Sequence, residues 1–228
     1  MSNIFSSSIG KKLVMSLSGL FLIVFLLVHL GINSLLLFDN TGRLFNLGAH
    51  FMATNPIIKV FEPVLALGFL LHIVWAFVLT LRNMQARPVK YAVSNQSGNA
   101  TFASRNMFVL GLIVLGFLAI HLANFFVKIK FTGSPLLAEV DVDGVMMENA
   151  YALVVELFRN PVYSIIYVIW VIALWFHLTH GFWSAFQSIG LNNQIWIKRW
   201  KAVAYIYATI VAVGFAIIPL FFLLGLDA

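Results

Sequence analysis

Four histidines, His29, His72, His121 and His177, each stand inside a separate long apolar stretch of the chain. An imidazole is costly in the hydrocarbon core of a bilayer. It marks a metal ligand, a proton relay or a hydrogen-bonded packing residue there. Neutral imidazole binds iron, copper and zinc. One histidine in each of four stretches suggests paired axial ligands for two haems.

The rest of the composition narrows this chemistry. The chain has 228 residues, of which 61% are hydrophobic and 10% charged, a balance that points to membrane spans rather than a water-soluble core. It has no cysteine. That excludes disulfides, thiolate metal sites, iron–sulfur clusters held by this chain, and covalent haem attachment through C-x-x-C-H. Any haem is therefore non-covalent. The first apolar run is longer than the core of a secretory leader and has no small-residue cleavage site, so no cleavable leader is expected.

Five stretches are close to the roughly 20 residues needed to cross a bilayer. They cover about residues 13–38, 57–81, 107–127, 162–189 and 202–226. Turn chemistry separates them: Asp39-Asn40-Thr41-Gly42, Asn55-Pro56, Asn95-Gln96-Ser97-Gly98-Asn99, Thr132-Gly133-Ser134-Pro135, Asn160-Pro161 and Gly190-Leu191-Asn192-Asn193. The expected fold is an all-α integral membrane bundle of five helices, one domain over residues 1–228. The N-terminus is expected in the cytoplasm and the C-terminus outside.

Charge supports that orientation. The inner side would carry Lys11, Lys12, Arg82, Arg87, Lys90, Arg105, Lys198, Arg199 and Lys201, nine of the 14 basic residues. The outer side would carry Arg43, Lys59, Lys128, Lys130 and Arg159. All eight acids, Asp39, Glu62, Glu139, Asp141, Asp143, Glu148, Glu156 and Asp227, fall outside. An even number of spans would scramble this segregation. The net charge of +6 therefore reflects membrane topology and a basic inner face suited to acidic lipid or a docked subunit, not nucleic acid.

Depth then sorts the histidines. At about 1.5 Å per residue, His29, 17 residues beyond Lys12, lies roughly 25 Å from the inner edge. His121, 16 residues beyond Arg105 and seven before Lys128, also falls in the outer half. His72 sits at mid-depth, and His177, 16 residues after Pro161 on an inward-running span, lies in the inner half. The natural pairs are His29 with His121 and His72 with His177, each joining spans that run in the same direction. Two imidazoles alone are too few for zinc or copper. A porphyrin supplies the other four ligands, so a bis-histidine haem is the economical answer. Gly19 and Gly111 each lie ten residues inward of an outer histidine, at the expected level of the inner haem. They would either admit a flat macrocycle or serve helix packing.

The segments Ser16-Leu17-Ser18-Gly19, Ala49-His50-Phe51-Met52, Arg105-Asn106-Met107-Phe108-Val109-Leu110 and Phe176-His177-x-x-x-Gly181-x-Trp183-Ser184 resemble the di-haem cytochrome b subunit of succinate dehydrogenase and fumarate reductase. This is the five-helix, single-chain membrane anchor of bacterial respiratory complexes. The resemblance runs over essentially the whole chain, and its most specific part is the F-H-x-x-x-G-x-W-S stretch. It implies two haems b, a distal one held by His29 and His121 and a proximal one held by His72 and His177, with Ser16 at a propionate. It also implies a flavoprotein subunit and an iron–sulfur subunit on the cytoplasmic face, with menaquinone as the membrane electron carrier. The location implied is the bacterial cytoplasmic membrane. The dicarboxylate active site would lie outside this chain.

Some positions leave alternatives open. Certain di-haem fumarate reductases carry a glutamate two residues before the fourth-helix ligand, linked to proton transfer; here that residue is Trp175. His180, three residues after His177, could be an alternative ligand, a propionate partner, a proton carrier or an interfacial polar residue. His50 is expected in the outer loop facing water. Glu62, at the outer start of the second span, is either a quinone contact or an exposed interfacial acid. Competing readings are a di-haem cytochrome b serving a hydrogenase, formate dehydrogenase or nitrate reductase, and a haem-free transporter with relay histidines.

Overall fold

The computed structural model describes residues 7–86 and 101–227. Arg87, Lys90 and the turn residues Asn95, Gln96, Ser97, Gly98 and Asn99 lie outside the described residues. Five helices are long and apolar enough to cross a membrane: Ile9–Leu37, Pro56–Gln85, Met107–Thr132, Pro161–Ser188 and Trp196–Leu223.

Local chemistry sets their ends. Helix α1 (Ser8–Ser34) starts earlier than the apolar run because the Ser7 side chain accepts a hydrogen bond from the Gly10 amide at 3.0 Å, taking Lys11 and Lys12 into the helix. Between α1 and the next span lies α2 (Arg43–Thr54). Helix α3 (Pro56–Gln85) is capped by Asn55, whose side chain accepts from the Ile57 and Ile58 amides at 2.9 and 3.3 Å. A one-turn helix, α4 (Phe102–Arg105), leads into α5 (Met107–His121). The third span then continues beyond α5 as two π-helical turns, Leu122–Phe126 and Lys128–Thr132. Helix α6 (Ala150–Arg159) precedes α7 (Pro161–Ser188), on which Asn160 repeats the cap of α3 by accepting from the Val162 amide at 3.0 Å. Both Asn-Pro steps are thus helix starts, with proline where the missing N–H costs nothing. Helix α8 (Trp196–Leu223) starts six residues before the expected beginning of the fifth span because Asn193 accepts from the Ile195 and Trp196 amides at 3.0 and 2.9 Å.

The most extensive contact is between α7 and α8, and α1 packs against α3, α7 and α8. Ile23, Leu178, Phe182, Ala204, Ala208 and Val211 form the buried seam of α1, α7 and α8. Ala204 and Ala208 are fully buried and, one turn apart, let the backbones approach closely. By contrast, only 6% of the apolar window of each of the second and third spans is buried, against 33% and 39% for the fourth and fifth. The helices that carry His72 and His121 are therefore the loosely packed ones.

One end of the bundle carries a cap that sequence patterning did not reveal. It consists of α2, a 3-10 turn Pro135–Leu137, strands β1 (Glu139–Val142) and β2 (Val145–Glu148), and α6. The strands form an antiparallel hairpin around Asp143-Gly144, whose φ angles of 56° and 83° suit a tight two-residue turn. Val154, Val155, Leu157 and Phe158 of α6 are buried in one cluster with Leu36, Phe45 and Phe222. Asn46 is buried and ties α2 to α6: its Oδ1 accepts from the Tyr151 amide at 2.9 Å and its Nδ2 donates to Asn149 Oδ1 at 3.1 Å.

The hairpin is held to α2 by a two-point ion pair, Arg43 Nε to Asp143 Oδ1 at 2.9 Å and Nη2 to Oδ2 at 2.6 Å. This hydrogen-bonded guanidinium holds the Asp143 carboxyl below its ordinary value of 3.8. A folded-state value below the unfolded one means the pair stabilises fully above about pH 4 and loses that contribution as pH falls through the depressed folded value. The effect is small because both side chains are about half exposed. Thermal unfolding in detergent should show Asp143→Asn slightly less stable than wild type at neutral pH, with the two curves meeting in acid. A gap that persists unchanged to low pH would count against this assignment.

Candidate functional site

Two histidine pairs form between the spans. His29 of α1 meets His121 at the end of α5, with ring centroids 5.7 Å apart and planes at 88°. His72 of α3 meets His177 of α7 at 6.3 Å and 69°. Two metal–imidazole bonds of about 2 Å each would put the bonded nitrogens about 4 Å apart, with the ring centroids further apart by the depth of both rings. The His72–His177 separation matches that reach, whereas the His29–His121 rings stand about 0.6 Å closer, so a metal between them would need the two rings to move apart.

The surroundings of the two pairs differ. The first lies toward the cap and is walled by aromatic rings. His29 stacks on Phe25 at 5.3 Å and approaches Phe215 at 5.7 Å. His121 contacts Phe117, Phe125 and Tyr167 at 5.6, 5.2 and 6.1 Å. The second pair lies toward the basic end and is flanked by glycines. A Cβ on Gly19 of α1 would sit 3.4 Å from His72 Cε1, and a Cβ on Gly111 of α5 would sit 3.7 Å from His177 Cε1. The imidazoles of α3 and α7 thus lie against side-chain-free backbone of α1 and α5. Ser18 Oγ lies 3.5 Å from His72 Nδ1 and donates to the Met15 carbonyl at 3.0 Å.

The donor set fits a group that brings most of its own ligands. Each pair contains a buried ring nitrogen without a hydrogen-bond partner, Nδ1 of His121 and Nδ1 of His177. Buried polar atoms are ordinarily satisfied, so both require an explanation. Among the described residues no group of three or more His, Asp or Glu side chains could hold a bare metal ion. Two facing imidazoles, with glycine backbone beside the His72–His177 pair, are a donor set that a haem iron could use. All four histidines keep partial exposure, so neither pair is sealed into close-packed core.

The other sequence-derived candidates fall as follows. Ser16 is buried in α1, while its neighbour Ser18 is the serine that meets His72. Glu62 accepts an ion pair from Lys130 Nζ at 3.2 Å, joining the start of α3 to the second π turn, and its side chain is 38% exposed. Trp175, which stands where a proton-linked glutamate was considered, donates from Nε1 to Thr209 Oγ1 at 3.0 Å and fastens α7 to α8. His180 sets its ring edge-on to Trp183 at 5.0 Å, with Nδ1 buried and unpartnered. Lys201 Nζ lies 4.8 Å over the Trp183 ring. His50 is half-buried on α2 rather than on a solvent-facing loop.

Tyr167, Asn124 and Ser18 were not identified from the sequence. A signal existed for two of them. Asn124 is a lone amide three residues after His121 in an apolar run. Tyr167 lies ten residues before His177, hence about 15 Å nearer the cap, at the level of the other pair. Compared with protein-family models, with curated proteins and with solved structures, the chain matches none.

Proposed function

We propose that this protein is the membrane-anchor cytochrome b subunit of a succinate:quinone oxidoreductase, a succinate dehydrogenase or fumarate reductase. Its place would be the bacterial cytoplasmic membrane, with the N-terminus and basic end in the cytoplasm and the capped end outside. The observation that carries the proposal is the pairing of four intramembrane histidines into two facing sets, one toward each end of the bundle. His29 and His121 would hold the distal haem b, His72 and His177 the proximal one, with Ser16 at a propionate. Bound haem supplies reversible one-electron transfer at its iron.

The chain's own residues do the rest. The four imidazoles would hold the two haem irons, one pair toward each end of the bundle. Phe25, Phe117, Phe125 and Phe215 exclude water from the cap-side pair. Gly19 and Gly111 leave the basic-end pair without side-chain obstruction. Lys11, Lys12, Arg82, Arg105, Lys198, Arg199 and Lys201 belong to the end proposed to receive an iron–sulfur subunit, with a flavoprotein subunit behind it. Menaquinone is the proposed membrane electron carrier, and Glu62 the proposed contact for it. The resemblance of Phe176–Ser184 supports this assembly over other di-haem cytochromes.

A reduced-minus-oxidised absorption spectrum of the purified protein tests the core of the proposal: b-type bands and two haems per chain are expected. A protein without b-type haem would refute it and leave a transporter with relay histidines. Haem that succinate does not reduce, with no co-purifying flavoprotein, would point to a cytochrome b of another enzyme such as a hydrogenase or formate dehydrogenase. His180→Asn should keep both haems, because His177 and not His180 faces His72. Loss of one haem in that variant, measured by pyridine haemochrome, would make His180 the ligand.

A further inference from the structure

The third span changes its hydrogen bonding directly after His121, from α-helix to the π turns Leu122–Phe126 and Lys128–Thr132. A π turn is a costly insertion that persists where something outside the helix holds it, frequently at a functional site. Here the outside support is visible. Asn124, in the middle of the first π turn, is buried at 9% exposure, and its Nδ2 donates to Tyr167 Oη of α7 at 3.1 Å. Tyr167 is itself 5% exposed. Its ring lies 6.1 Å from His121 and packs on Phe117 at 5.0 Å and Phe125 at 6.4 Å, the two rings that flank His121 on its own span. Phe158 of the cap closes the far side of Tyr167 at 5.0 Å.

The same tyrosine therefore anchors the π register through its hydroxyl and stands beside the imidazole with its ring. In hydrocarbon an unpaired amide is expensive, so Asn124 is held to Tyr167, and the turn that carries Asn124 is held with it. Rotation of the π turn would swing His121 relative to His29, which belongs to a helix fixed by α3, α7 and α8. Among the described residues no such side-chain bond between spans backs the basic-end pair; His72 meets Ser18 Oγ at 3.5 Å and the Met15 backbone.

We infer that Asn124 and Tyr167 form a positioning unit that sets the orientation of His121, and so the electronic properties of the group held by His29 and His121, while leaving the His72–His177 pair alone. The inference rests on the haem-binding role proposed above. Ligand orientation and surrounding hydrogen bonds tune a metal centre without touching it.

The test is low-temperature electron paramagnetic resonance and a redox titration of purified Tyr167→Phe, which keeps the ring and removes the hydroxyl. The signal missing from His29→Ala identifies the cap-side haem. In Tyr167→Phe that signal and its midpoint should shift, with two haems per chain retained and the other signal unchanged. The double variant Asn124→Leu/Tyr167→Phe removes both polar partners and leaves no stranded amide. It should show the same selective shift, and it decides the matter if the single variant does not fold. An unshifted cap-side signal overturns the inference, as does equal shifting of both signals or a return of the double variant to wild-type values. Absence of b-type haem from the wild-type protein would instead remove the proposed function itself.

Discussion

On the proposed haem-binding role, protein carrying His72→Ala or His177→Ala is expected to lose half of its b-type haem and to keep the haem that His29 and His121 would hold. The physical basis is the separation of the two centres. Gly19, one turn-level with His72, is ten residues from His29 on the same helix, about 15 Å along its axis. No histidine of one pair is placed to replace a lost partner in the other. Removing one imidazole leaves the facing ring with a single axial donor and a methyl group opposite, so non-covalent haem dissociates rather than finding a new ligand. His29→Ala and His121→Ala should show the mirror result. Haem per chain and paramagnetic resonance of the ferric protein measure both outcomes. Two haems retained in His72→Ala, or loss of both with helical content intact, would break the pairing. A further consequence is loss of the stabilisation that a bound ligand gives the folded state. The variants should unfold at lower temperature than wild type, though the helices remain.

The second large effect is expected far from the histidines, at Gly42. This residue has φ of +78° and precedes α2, and a Cβ there would overlap the Tyr151 ring at Cγ. Gly42→Ala therefore meets two costs. The left-handed backbone costs about 1–2 kcal/mol with any Cβ present. Displacing a ring packed beside Phe222 at 5.9 Å, and bonded from Oη to the Asn40 carbonyl at 3.1 Å, adds about 1–3 kcal/mol of overpacking. Gly190 is the internal control. It ends α7 with φ of +87°, the Leu191 amide reaching back to the Phe186 carbonyl at 3.0 Å, and a Cβ there would meet nothing within 4 Å, so Gly190→Ala should cost only the backbone part. Denaturant or thermal unfolding of the two variants side by side should separate them by the ring term. Equal destabilisation would show that Tyr151 moves aside freely and that the cap is softer than its packing indicates.

The expectations from sequence succeeded or fell short for identifiable reasons. The five apolar helices were legible because a bilayer demands about 20 residues of hydrocarbon-compatible chain per crossing. Their starts were legible at Asn55-Pro56 and Asn160-Pro161, where the cap residue and the proline are adjacent in the chain. The cap of α2, the hairpin and α6 was not legible, because short amphipathic elements take their stability from contacts distant in sequence. Asn46 with Asn149 and Arg43 with Asp143 are such contacts, 103 and 100 residues apart. Asp143-Gly144 did carry a hairpin signal, obscured by the acidic residues of both strands.

For the histidines the division is sharper. How deep each one lies follows from counting residues between charged ends, because the helical rise is constant and the membrane fixes both boundaries. The same counting pairs the histidines by level, but which other side chains surround each ring does not follow from it. Lipid and neighbouring helices are equally apolar, so the pattern around α3 and α5 does not mark an inward face. The sequence by itself determined the number of spans and the level of each imidazole. Tertiary packing decided the rest: the glycine backbone against His72 and His177, Ser18 beside the His72 ring, and the π turn that Tyr167 holds beneath His121. Rotation about a helix axis is set only by what the helix packs against.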